Sequence, residues 1–120
     1  MSLKIYLTRK KWISYDAGKT LTEEFETVYD ANITHNLGEI ADKAGIYYAL
    51  WRPGEIGKIK ASEIIGPLEK GLYDLKERPE YFKKFDSPNG WGMYEHFVPF
   101  VEKYLKACKE YPDAIIRVGW

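Results

Sequence analysis

At 120 residues the chain is long enough for one domain, and its 18 Lys plus Arg against 18 Asp plus Glu leave no net charge. Without a long-range field it is not expected to be a general nucleic-acid-binding protein or a ligand of anionic membranes. The single cysteine, Cys108, excludes an intramolecular disulfide, and no apolar run nears the roughly 20 residues of a membrane span, so a soluble protein of a reducing cytoplasm is expected.

The chain opens on "LKIYL", where Leu3, Ile5 and Leu7 alternate with Lys4 and Tyr6, the period-two pattern of a half-buried strand. "KWISY" extends that strand or begins another, and "DAGK" supplies turn chemistry. In "EEFETVYDANI", Phe25, Thr27, Tyr29 and Ala31 alternate with Glu26, Val28 and Asp30, which predicts a hairpin with the first strand. After Asn36 the period changes. Leu37, Ile40, Ala41, Ala44, Tyr48 and Trp51 fall at helical spacings, with Gly45 ending or bending the helix and Pro53–Gly54 stopping it. Ala61, Ile64, Ile65, Leu68, Leu72 and Leu75 form a second helical stripe, which Gly66–Pro67 should kink. Pro79 suits the first turn of a restarted helix, and "DSPNGWG" is the strongest loop signal. Met93, Phe97, Phe100, Val101, Tyr104, Leu105 and Cys108 then line a long helix, in which Pro99 implies a kink or a late start. "YPD" ends it, and "AIIRV" reads as a closing strand that must pair with the hairpin to satisfy its backbone groups. The expected architecture is a single α+β domain over residues 1–120: a small, mainly antiparallel sheet of N-terminal hairpin plus C-terminal strand, with three or four helices on one face.

"NITHNL", "AGIYYALWRP", "LEKGLYDLKERPEYF" and "NGWGMYEHFVPFVEKYLKACKEYPDA" resemble, in that order, a family of small uncharacterised proteins carried by bacteriophages and prophages. The resemblance runs from about Val28 to the C-terminus and implies a setting, the cytoplasm of a bacterial or phage-infected host cell, without an assigned reaction. A phage setting raises accessory roles, among them inhibition of host defence by binding a protein or sequestering a nucleotide signal.

Two polar stretches carry the chemistry. In "NITHN", Asn32, Thr34 and Asn36 alternate with Ile33 and His35, so three polar side chains converge at a strand-to-helix junction. Capping explains part of this: Asn36 with Glu39 fits a capping box, and Thr34 is an equally good N-cap. The same geometry, with free N–H groups at a helix start, attracts phosphate or carboxylate. In "NGWGMY", Asn89 and Gly90 accept positive φ, Gly92 permits close approach, and Trp91 and Tyr94 offer faces on which a base or sugar could stack. Structurally, Trp91 would plug the core and Asn89 would cap the following helix. Arg52, in "LWRP", would clamp phosphate or pair with a carboxylate.

The leading expectation is a non-enzymatic accessory protein that binds a small polar or nucleotide-like ligand between these stretches. Arg52 would hold anionic oxygen, Trp91 or Tyr94 would stack, and Asn32, Thr34, His35, Asn36 and Asn89 would read polar edges. Two further readings stay open. One is a protein-interaction module, a homo-oligomer or an inhibitor of a host protein, using the ten tyrosines and exposed aromatics. The other is a nuclease or transferase working through His35 and His96, the only histidines. No cofactor motif is present, and the ligand spacings of a zinc or calcium site are missing. "GEIGKIKAS" is not a phosphate loop, and no serine-nucleophile motif surrounds Ser14, Ser62 or Ser87. Cys108, on an apolar stripe, reads as packing.

Overall fold

The computed structural model describes residues 2–14 and 16–120; Tyr15, the last residue of "KWISY", lies outside them. The alternating N-terminal segment forms β1 (Ser2–Ser14), which turns into β2 (Leu21–Thr34), and the closing segment forms β3 (Ile115–Gly119). The three strands make an antiparallel sheet in the order β2-β1-β3. "KWISY" thus extends the first strand as far as Ser14. Ala17 and Gly18, both at positive φ (57° and 86°), shape the connecting turn, and the Asp16 carboxylate accepts the Thr20 N–H at 2.7 Å.

Between the second and third strands lie five α-helices, α1 (Gly38–Lys43), α2 (Tyr47–Trp51), α3 (Ser62–Glu77), α4 (Pro79–Lys83) and α5 (Tyr94–Glu110), and two short 3-10 turns, His35–Leu37 and Pro53–Ile56. Gly45, at φ +77°, breaks the first helical stripe into α1 and α2, and Pro79 stands in the first turn of α4. The helices α3 and α5 continue through Pro67 and Pro99; each proline lies in the second turn, so α5 does not start late. The helical layer covers one face of the sheet, where Leu3, Ile5 and Leu7 are fully buried with Leu37, Ile64, Leu68, Phe97, Val101 and Tyr104. Gly71 allows α3 to approach the start of α2, because a Cβ there would sit 2.3 Å from Ile46 Cγ2.

Strict alternation in β2 does not survive. The pairing passes from Leu7↔Tyr29 to Thr8↔Thr27, leaving Val28 as an extra residue in a β-bulge. Directly paired residues share a face, so Tyr29 lies with Leu7 toward the helices while Phe25, opposite Lys10, lies on the open face, where Arg117 stacks over its ring at 5.5 Å. Beyond Thr8, β1 has no β3 partner. Residues 9–14 and 21–26 therefore continue as a two-stranded ribbon away from the helices, consistent with extents of 59 × 27 × 23 Å. Its strands carry opposite charge and are joined by Arg9–Glu26, Lys11–Glu26 and Lys10–Glu23 ion pairs. Among the described residues, no helix is long and apolar enough to cross a membrane.

Candidate functional site

At the opposite end of the hairpin from the ribbon, β2 ends at Thr34 and the chain turns through His35–Leu37. The Thr34 hydroxyl accepts the Asn36 N–H at 3.3 Å, so of the two expected capping residues it is Thr34 that caps the turn. Leu37 inserts into the core and fixes the turn against the helical layer. Asn36 has another partner: its Nδ2 donates to the Trp91 carbonyl at 3.1 Å, a bond across 55 residues of sequence.

The loop that meets it is shaped by its own side chains. Asn89 Oδ1 accepts the Ser87 hydroxyl at 2.6 Å and the Trp91 N–H at 2.9 Å, so Asn89 caps the turn within the loop. It is Asp86 that accepts the Tyr94 N–H at 2.7 Å, at the start of α5. Gly92 has φ +92°, and a Cβ there would stand 2.8 Å from Asn36 Cβ and 3.2 Å from Thr34 Cγ2. Only glycine satisfies both the backbone angle and the contact.

The strand end, the turn and the loop enclose an open depression of about 920 Å³. Asn32, Thr34, His35, Asn36 and Trp91 line it together, with His96 from α5. Ser2, paired with Thr34 across the sheet, the apolar Ile33 and Leu37, and Gly90 and Gly92 complete the described walls. Trp91 does not plug the core: 70% of its surface is exposed beside the depression. His35 is held from behind, since the indole Nε1–H of buried Trp51 donates to His35 Nδ1 at 2.9 Å, and Trp51 is itself stacked on Tyr47 at 5.3 Å. An indole nitrogen only donates, so Nδ1 is unprotonated and the neutral imidazole carries its hydrogen on Nε2. No Lys, Arg, Asp or Glu is among the described residues of the wall.

Compared with protein-family models, curated proteins and solved structures, the chain matches none.

Three expected residues do not line the depression. Arg52 lines a second, smaller depression of about 350 Å³ with Trp120; it pairs with Glu55 at 2.9 Å and stacks over the Trp120 ring at 5.1 Å. Tyr94 donates its hydroxyl to the Leu75 carbonyl at 2.7 Å, linking α5 to α3, and its ring faces Lys83. Asn89 shapes the loop without lining the depression. Among the described residues, no group of three or more His, Cys, Asp or Glu is placed to hold a metal ion. Cys108 is buried, and burial pushes its thiol up to about 12, the state of an unreactive packing residue.

Sequence reasoning missed Ser2 and the Trp51–His35 bond. The first could have been found from the hairpin register, which sets the start of β1 beside Thr34. The second has no sequence signal, because Trp51 continues the helical core stripe whether or not its N–H has a use.

Proposed function

We propose that the chain is a non-enzymatic binding protein which holds a small polar, nucleotide-like molecule in the depression between "NITHN" and "NGWG", in the phage or prophage setting that its motifs resemble and in the accessory, anti-defence role which that setting suggests. The observation that carries this reading is the meeting of the two polar stretches, 55 residues apart, around one concavity with an exposed indole at its rim. A flat aromatic face beside a few fixed polar groups is the usual composition of a small-molecule site.

The fixed tautomer of His35 favours binding over catalysis. With Nδ1 engaged by Trp51, the neutral ring offers a donor at Nε2 and no free lone pair, so it recognises an acceptor more readily than it removes a proton. Isothermal titration against cyclic and linear nucleotides tests the proposal. Binding should weaken by about tenfold or more in Trp91→Ala, the loss expected for one stacked ring, and also fall in Asn36→Ala. A panel that produces no heat, or variants that bind like the parent, would sink it.

A second reading rests on the ribbon. Trp12, Leu21 and Phe25 are exposed on its open face (61%, 61% and 53%), a cluster suited to contact with another protein or a second copy. Light scattering of the parent and of Trp12→Ser distinguishes self-association: a monomer at all concentrations removes the homo-oligomer.

A further inference from the structure

Resting on the binding reading above, we infer that the part of the ligand held in the depression is an uncharged planar heterocycle of the nucleobase class, with any phosphate left outside. The described lining residues include no Lys, Arg, Asp or Glu. Arg52, the side chain best suited to clamp phosphate, is in the other depression, bound to Glu55 and Trp120. Several backbone donors near the site are also engaged. Thr34 takes the Asn36 N–H, and the Met93 carbonyl takes those of His96 and Phe97. The Tyr94 N–H goes to the Asp86 carboxylate, which puts a negative charge at the start of α5, where a phosphate would otherwise be attracted. An anion entering here would lose water and meet no Lys or Arg among the described lining residues.

What the depression does offer is a mixed set of donors and acceptors. His35 brings an N–H at Nε2, while Asn36 spends one amide hydrogen on the Trp91 carbonyl and keeps its Oδ1. Asn32 adds a second exposed carboxamide, and the Trp91 face lies beside these groups. A nucleobase matches that set because its donors and acceptors lie at the edge of its plane while both faces remain free to stack. Sugar hydroxyls project around the ring, and a sugar meets the indole through C–H groups instead of a π face.

The test uses the intact chain, with ribonucleosides, their 5′-monophosphates and maltose as the probes. Affinities are measured by calorimetry at about 50 and about 500 mM NaCl, since added salt screens charge-dependent binding. The inference expects a nucleoside to bind at least as tightly as its monophosphate, with Kd moving less than about twofold between the two salts. Affinity should fall about tenfold in Trp91→Ala and be largely retained in Trp91→Phe, which preserves a stacking face. A monophosphate that binds about tenfold tighter than its nucleoside, and weakens with salt, would overturn the inference and leave the binding reading standing. Binding of maltose without any nucleoside would do the same. No binding by any probe here or by the wider nucleotide panel would remove both.

Discussion

Replacing Gly92 with alanine separates the two demands made on that position. The first is conformational: φ is +92°, a region in which an L-residue loses about 1–2 kcal/mol. The second is steric, because the new Cβ would meet Asn36 Cβ at 2.8 Å and the Asn36 carbonyl carbon at 3.2 Å. Those atoms belong to a backbone held by Leu37 in the core, so relief requires the loop to move, an overpacking of about 1–3 kcal/mol. Gly90→Ala is the internal control. It has a similar φ of +77°, yet nothing lies within 4 Å of its Cβ, so it incurs the first term alone. In urea titrations the two variants should therefore differ by about 1–3 kcal/mol, which at a slope of about 1.5 kcal/mol/M separates their midpoints by about 0.7–2 M. Ligand binding should be lost in Gly92→Ala, since relief of the clash breaks the Asn36–Trp91 bond. If both variants unfolded within about 0.5 kcal/mol of each other, the close contact of loop and turn would be refuted.

Three further outcomes follow from the same geometry. Trp51→Phe keeps a ring stacked on Tyr47 but removes the donor to His35; a long-range proton–nitrogen correlation should show the Nε2–H tautomer in the parent and a tautomer mixture in the variant, and an unchanged tautomer would contradict the assigned bond. Hydrogen bonds hold four carboxyls below their ordinary values: Asp16 through Thr20, Glu26 through Arg9, Glu63 through the Lys60 and Ile59 N–H groups, and Asp74 through Arg78. Because the folded state then binds fewer protons than the unfolded chain, their stabilisation is complete above the unfolded values of 3.8 and 4.5 and is lost as pH falls through the lower folded values; denaturant midpoints that rose on acidification from pH 5 to pH 3 would contradict this. Cys108, buried with its thiol raised to about 12, should react with a thiol reagent only at the rate of opening, so rapid labelling of the native protein would place it wrongly.

The fold was legible where local chemistry and long-range packing agree. Leu3, Ile5 and Leu7 alternate because one sheet face is buried, Gly45 breaks a helix by its positive φ, and Pro79 begins one. The bulge at Val28 was not legible: an extra residue is defined by the partner strand, and "ETVYD" reads as unbroken alternation until paired with "YLTRK". The same step hid the ribbon, since its exposure depends on where β3 stops pairing. At the site, residue types carried the right polar and aromatic signals, but their destinations were set by tertiary structure. Arg52 and Trp51 are neighbours in sequence, yet one is drawn to Trp120 and Glu55 while the other supports His35. Tyr94, three residues after Trp91, is spent on the Leu75 carbonyl because the first turn of α5 faces α3. The Asn36–Trp91 bond joins a side chain to a carbonyl, and a carbonyl carries no residue-specific mark in a sequence.

Amide and side-chain chemical-shift mapping during titration with nucleosides and nucleotides reports where a ligand sits as well as whether it binds. The account predicts saturable shifts concentrated at residues 32–37 and 90–92, including the Asn36 carboxamide and the Trp91 indole. Shifts confined to the Arg52–Trp120 depression or to the ribbon, or none from any ligand in the panel, would contradict it.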